Sequence, residues 1–213
     1  MTAVNAPGPP ELTRRERRKR EVRARIIEAA RDLFRTQGFG ATRVTEICER
    51  ADVVEKTFFN YFPTKQGVLA ELAASAVEEL LLSIEVARKK GRSTRERLEF
   101  FFGALAETMS AAGPPQKELV SAIVQVIHES GEPAADARKL HDAFGALVSD
   151  GLEAGEVTSR HDPETLTEMI LGAYYVLTFD FVNLEGFDVR ARASSMSHFL
   201  ADAFHPTGDE EAN

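Results

Sequence analysis

The 213-residue chain has one cysteine, no tryptophan, no long apolar run and no apolar stretch near its start. A single cysteine excludes an intramolecular disulfide and any zinc site built on paired thiolates. Without a long apolar run nothing is expected to span a membrane. Without an early one no secretory signal is expected, so a reducing cytoplasm is the expected compartment. No glycine-rich phosphate loop, nucleophile elbow or zinc motif occurs. The five histidines, His128, His141, His161, His198 and His205, are scattered, and none stands at metal-pair spacing from another. His128 beside Glu129, and His141 beside Asp142, point to different helix faces, because neighbours in sequence do not face one another on a helix. Neither an enzyme nor a metal or cofactor site is expected.

What is present is an ordinary globular composition, 43% hydrophobic and 28% charged, with the charge unevenly placed. Residues 1–65 carry a net +5 and residues 66–213 a net −13. A basic end suits an anionic partner, and the acidic remainder must do something else.

Residues 1–13, with Pro7, Gly8, Pro9 and Pro10, bury too little apolar surface to repay ordering and read as a disordered tail. Residues 206–213 read the same way. Everything between them reads as helix, with no period-two alternation and no repeat. The first helix spans about Glu16 to Gln37, with Val22, Ile26, Ala30, Leu33 and Phe34 as its apolar stripe and Gly38 as its stop. Short helices follow at Val44–Ala51 and Glu55–Tyr61. Thr64 is placed to cap a fourth, running to Lys90. Five more are expected: Thr94–Ala112, Gln116–Ser130, Pro133–Ala154, Pro163 to near Gly186 behind the Asp162 cap, and Asp188–Phe204. The expected fold is all-α with about nine helices. Residues 14–65 form one domain and 66–205 a second.

The two short helices carry the chemistry. Joined by Asp52, Val53 and Val54, they make a helix-turn-helix pattern, which places its second helix in the DNA major groove. That helix offers Lys56, Thr57, Phe59, Asn60 and Tyr61 outward while Phe58 and Phe62 face inward. Its polar groups suit phosphates or base edges, and an exposed aromatic suits a thymine methyl or a sugar. Gly38-Phe39-Gly40-Ala41-Thr42, then Val44 through Ile47, then Thr57 through Lys65 (TFFNYFPTK) resembles the DNA-binding domain of the tetracycline-repressor (TetR) family. The close resemblance covers about residues 20–70.

The resemblance implies a sequence-specific transcriptional regulator, most simply a repressor released from a palindromic operator by a small apolar ligand. The alternatives are a DNA-binding dimer without an inducer, or an activator. It implies DNA contacts from Arg43, Lys56, Thr57, Phe59, Asn60, Tyr61 and Lys65, with Tyr61 and Lys65 mostly on phosphate. The basic arm (Arg14, Arg15, Arg17, Arg18, Lys19, Arg20, Arg23) would add phosphate or minor-groove contacts, or be simply solvated. Three positions depart from the family: Asp52 stands where glycine is usual, Val54 where serine often caps, and Glu55 where a base or proline is common. Aspartate tolerates a left-handed turn better than most residues, whereas valine cannot cap, at a cost of about 1 kcal/mol. Cys48 reads as a small buried hydrophobe.

Residues 66–213 then read as the regulatory half. The eighth helix is apolar on two sides. Leu166, Met169, Ile170, Ala173, Tyr174, Leu177, Phe181 and Leu184 form one, and Leu171, Tyr175, Thr178 and Val182 the other. It therefore needs two partners. Helix nine adds Ala193, Met196, Leu200 and Phe204, and the family implies a homodimer through helices eight and nine. A ligand pocket is expected inside helices four to eight, lined by Phe102, Leu105, Met109, Ile127, His128, Phe144, Tyr174 and Thr178.

Overall fold

The computed structural model describes residues 13–129 and 133–206, without the side chains of 114, 126–129 and 133–136. The expected tails, Thr13 and Pro206 apart, and the helix stop at Gly131 lie outside the described residues. Among the described residues the chain is nine helices and no strand: α1 (Arg14–Gln37), α2 (Val44–Ala51), α3 (Glu55–Tyr61), α4 (Lys65–Lys90), α5 (Thr94–Ser110), α6 (Pro114–Glu129), α7 (Pro133–Glu153), α8 (Pro163–Asn183) and α9 (Val189–Phe204).

Local chemistry explains the ends. Thr13 caps α1 in a capping box: its Oγ1 accepts the Glu16 amide at 3.3 Å, and Glu16 Oε2 accepts the Thr13 amide at 2.8 Å. Thr64 caps α4 by accepting the Gly67 amide at 3.2 Å, and Asp162 caps α8 by accepting that of Thr165 at 2.8 Å. Two boundaries differ from expectation. α5 stops at Ser110, and Pro114 and Pro115 begin α6 instead of ending α5. In a first turn the missing proline N–H has no intrahelical partner to lose, so proline there starts a helix as readily as it stops one. α8 ends at Asn183, and Gly186, at φ +67, turns the chain three residues later.

Two apolar cores result. The N-terminal one gathers Ile26, Ala30 and Phe34 of α1, Ile47 and Cys48 of α2, Phe58 and Phe62, and Val68 and Leu72 of α4. It thus runs past the expected domain boundary at residue 65. The larger core gathers Ile84 and Ala87 of α4 with α5, α7, α8 and α9. One 26-residue helix, about 39 Å long, therefore serves both. Its far end is tied to α7 by Arg88, whose guanidinium donates to both Asp150 oxygens at 2.8 and 3.0 Å.

Candidate nucleic-acid interface

The recognition unit is built from the turn outward. Asp52 sits at φ 52, ψ 54, the left-handed conformation that its short polar side chain tolerates. The chain reverses there, with the Val53 amide donating to the Cys48 carbonyl at 3.0 Å. Val54 then occupies the N-cap of α3, 69% exposed and without a side-chain cap. α3 is held instead by its buried face. Phe58 and Phe62 are both buried, their ring centroids 6.0 Å apart, and Phe59 meets Phe58 edge-on at 5.3 Å. With seven residues α3 has little helical stability of its own, so these two anchors fix its direction. The opposite face presents Lys56, Phe59 and Asn60 to solvent, with Thr57 and Tyr61 half-buried at its edges. Lys56, Thr57, Phe59, Asn60 and Tyr61 are thus brought onto one accessible surface. Arg43 is exposed beside them at the N-cap of α2, whose first turn is closed by its amide donating to Glu46 Oε2 at 2.7 Å.

Lys65 is placed differently from the expectation of a phosphate contact. Its Nζ donates to the carbonyls of Phe39 at 2.6 Å and Thr42 at 2.8 Å, with that of Gly40 at 3.5 Å, and lies 4.4 Å from the Phe39 ring centroid. An ammonium has three donors, and these contacts engage them. Burial lowers its pKa from the ordinary lysine value, opposed by the charges of Glu118 and Glu46. Lys65 therefore shapes the loop 38–42 that leads into α2. Arg23 likewise leaves the expected basic arm: it lies over the Phe62 ring at 5.0 Å and pairs with Glu71. Arg14, Arg15, Arg17, Arg18, Lys19 and Arg20 remain exposed along the first turns of α1, outside any ion pair among the described residues. Cys48 is buried, and that burial raises its thiol pKa.

The regulatory half corrects the expected faces. Leu171 and Thr178 point inward, whereas Met169, Tyr175, Val176 and Phe179 form the exposed stripe of α8, with Phe179 65% exposed. On α9 Ala193, Leu200 and Phe204 are buried as expected and Met196 packs half-buried against the larger core, while Phe199 stands 71% exposed. Tyr175 apart, the exposed stripe differs from the expected second face because the helix is apolar almost all round, which leaves periodicity without contrast.

Of the expected pocket residues, Phe102, Met109 and Phe144 are buried in the larger core, with Leu105 and Tyr174 packed against it. Phe101 meets Phe102 and Phe144 edge-on at 5.1 and 5.0 Å. Thr178 Oγ1 donates to the Tyr174 carbonyl at 2.9 Å. The side chains of Ile127 and His128 lie outside the described residues. An open groove of about 310 Å³ lies between α5 and α9, lined by Gly103, Glu107, Arg190, Ser194 and His198 among others, away from the expected pocket.

The model for bacterial regulatory proteins of the tetR family matches residues 26–72. The fatty acid metabolism regulator protein of Bacillus subtilis is 23% identical over 194 residues, 89% of this chain and 98% of that protein. The transcriptional repressor KstR of Mycolicibacterium smegmatis is 28% identical over 134 residues, 62% of this chain and 66% of its own. Among solved structures, Thermus thermophilus FadR in complex with lauroyl-CoA superposes with a TM-score of 0.63 at 25% identity, covering 85% of this chain and 94% of that one. Bacillus subtilis FadR in complex with stearoyl-CoA gives 0.57 at 18% identity, covering 86% and 100%.

Proposed function

The chain belongs to the tetR family of bacterial regulatory proteins, and from that premise we propose that it is a homodimeric cytoplasmic repressor released from a palindromic operator by an apolar ligand. The observation that carries the reading is α3: a short helix anchored by two buried phenylalanines, with Lys56, Phe59 and Asn60 free on its outer face. Asn60 suits a base edge, Phe59 a thymine methyl, and Lys56 and Arg43 the phosphates.

The exposed apolar stripe of α8 with Phe199 of α9 supports dimerisation. A twofold axis there buries Met169, Tyr175, Val176 and Phe179 against their copies, and repeats each contact by symmetry. It also explains how two α3 helices address half-sites about 34–36 Å apart. The first turns of α1, with six exposed basic residues from Arg14 to Arg20, add charge attraction to neighbouring phosphates.

For the ligand, the two FadR structures were solved in complex with lauroyl-CoA and stearoyl-CoA, so an acyl chain is the first occupant to consider here. The phenylalanine-rich core of α5, α7 and α8 is apolar enough to receive one, and its edge-on aromatic contacts must part to admit it. A ligand weakens DNA binding only by favouring a conformation with displaced recognition helices; a coupling of about 1–3 kcal/mol shifts affinity about 5–150-fold. The close packing of Phe101, Phe102 and Phe144 favours the second reading, a DNA-binding dimer without an inducer. Titrating lauroyl-CoA into the protein–operator complex, with free coenzyme A as control, decides between them. Release by the acyl form alone supports ligand control, and unchanged operator affinity at saturation supports the second reading.

A further inference from the structure

α6 is joined to both halves of the molecule within four consecutive residues. Lys117 Nζ lies 4.8 Å from the Phe181 ring centroid of α8, and Val120 packs against the larger core. Between them, Leu119 packs against the N-terminal core, and Glu118 Oε1 accepts the Gly40 amide at 2.7 Å. Successive helix positions turn by about 100°, so these four side chains point around much of the circumference. The helix is lodged between two bodies and holds each of them.

The receiving loop is shaped for this carboxylate. Gly38 has φ +89, and a Cβ there would collide with the Glu118 carboxylate. A Cβ on Gly40 would stand 3.2 Å from Glu118 Oε1. Thr42 Oγ1 donates back to the Gly38 carbonyl at 2.7 Å and closes the loop on itself. Lys65 holds the same loop by the Phe39 and Thr42 carbonyls. One amide of residues 38–42 is therefore gripped by a carboxylate from the regulatory half, and two carbonyls by an ammonium at the start of α4. The next residue, Arg43, opens α2.

We propose that Glu118 is a positioning residue for DNA binding: it clasps loop 38–42 and so sets α2 and α3 relative to the regulatory domain. The inference rests on the operator-binding reading above. It adds a second link between the halves besides α4, in which the Glu118 hydrogen bond to the Gly40 amide stands beside the packing of Leu119 on the N-terminal core, and a shift of α6 would break that bond.

The test compares full-length wild type with Glu118→Ala and Glu118→Gln, the latter keeping an acceptor oxygen. Hydrogen exchange in peptides covering residues 38–42 reads the clasp, and fluorescence anisotropy on a duplex that the wild type selects from random DNA reads the positioning. Glu118→Ala should quicken exchange in that loop and weaken the operator about 3–10-fold, a small effect because the carboxylate is exposed and screened. Its melting temperature and dimerisation should not move, and Glu118→Gln should restore most of both readouts. Unchanged exchange in Glu118→Ala overturns the proposal, as does quickened exchange with unchanged operator affinity. If the wild type binds no duplex DNA, the operator-binding reading fails, while the exchange data still decide the clasp.

Discussion

Replacing Lys56 and Lys65 separately by alanine separates a residue that touches DNA from one that shapes the surface. Lys56 is exposed on α3, whereas Lys65 donates to backbone carbonyls at 2.6 and 2.8 Å. If Lys56 neutralises one phosphate per protomer, the dimer loses two contacts, and the slope of log K against log salt becomes shallower by about 1.8. Over a fourfold rise in salt, the wild type then loses about 12-fold more affinity than Lys56→Ala. Lys65→Ala instead leaves the carbonyls of Phe39 and Thr42 without their donor. Hydrogen bonds to a charged group contribute about 1.5–3 kcal/mol when well buried, and partial exposure brings this to about 1–2 kcal/mol of N-terminal domain stability. Lys65→Ala should therefore lower the melting temperature and weaken binding at every salt concentration while keeping the wild-type slope. Anisotropy titrations at four or five salt concentrations, with a melting curve for each variant, give both quantities. An equally reduced slope in Lys65→Ala, without loss of stability, would place that ammonium on phosphate and refute the reasoning.

Phe58→Ala should cost about 3–5 kcal/mol, as for other phenylalanine truncations in cores, and abolish operator binding with a lowered melting temperature; a stable variant would show that α3 is not anchored through that ring. Phe179→Glu should split the dimer in sedimentation, because it puts a charge into the apolar stripe of α8; an unchanged dimer would place the interface elsewhere. Asp150 has its pKa held below the ordinary carboxylate value by the Arg88 hydrogen bond. Its contribution of about 1 kcal/mol, discounted for solvent screening, is present above the unfolded aspartate pKa of about 3.9 and is lost as pH falls through the lower folded value. Asp150→Asn should thus be less stable than wild type at neutral pH, with the gap closing in acid; a gap independent of pH would contradict that. Cys48, buried and with its thiol pKa raised by that burial, should react with a thiol reagent only as fast as the N-terminal domain opens.

Much of this architecture is legible in the residues themselves. Val44–Ala51 and Glu55–Tyr61 are bounded by strong local signals, a left-handed aspartate at one end and a proline beyond the other, and both helices appear as read. Thr64 and Asp162 announce their caps because a short side-chain oxygen there has one geometric use. Pro114 and Pro115 are ambiguous, since proline is compatible with both a helix end and a helix start. Which α8 face meets solvent is hidden by the apolar residues on every side of it. The exposed groups of α3 follow from composition and spacing, but the roles of Lys65, Arg23 and Glu118 do not. All three reach partners 23 to 78 residues away in sequence or on another helix, and a lysine bound to carbonyls looks the same in a sequence as a lysine awaiting phosphate.

The central claim, a dimer that reads DNA through α3, is tested most directly by selecting binding sites from random duplex DNA with the purified full-length chain. The account predicts an enriched palindrome with half-site centres about one helical turn apart, lost in an Asn60→Ala, Lys56→Ala double variant. No enriched sequence at low salt would contradict it.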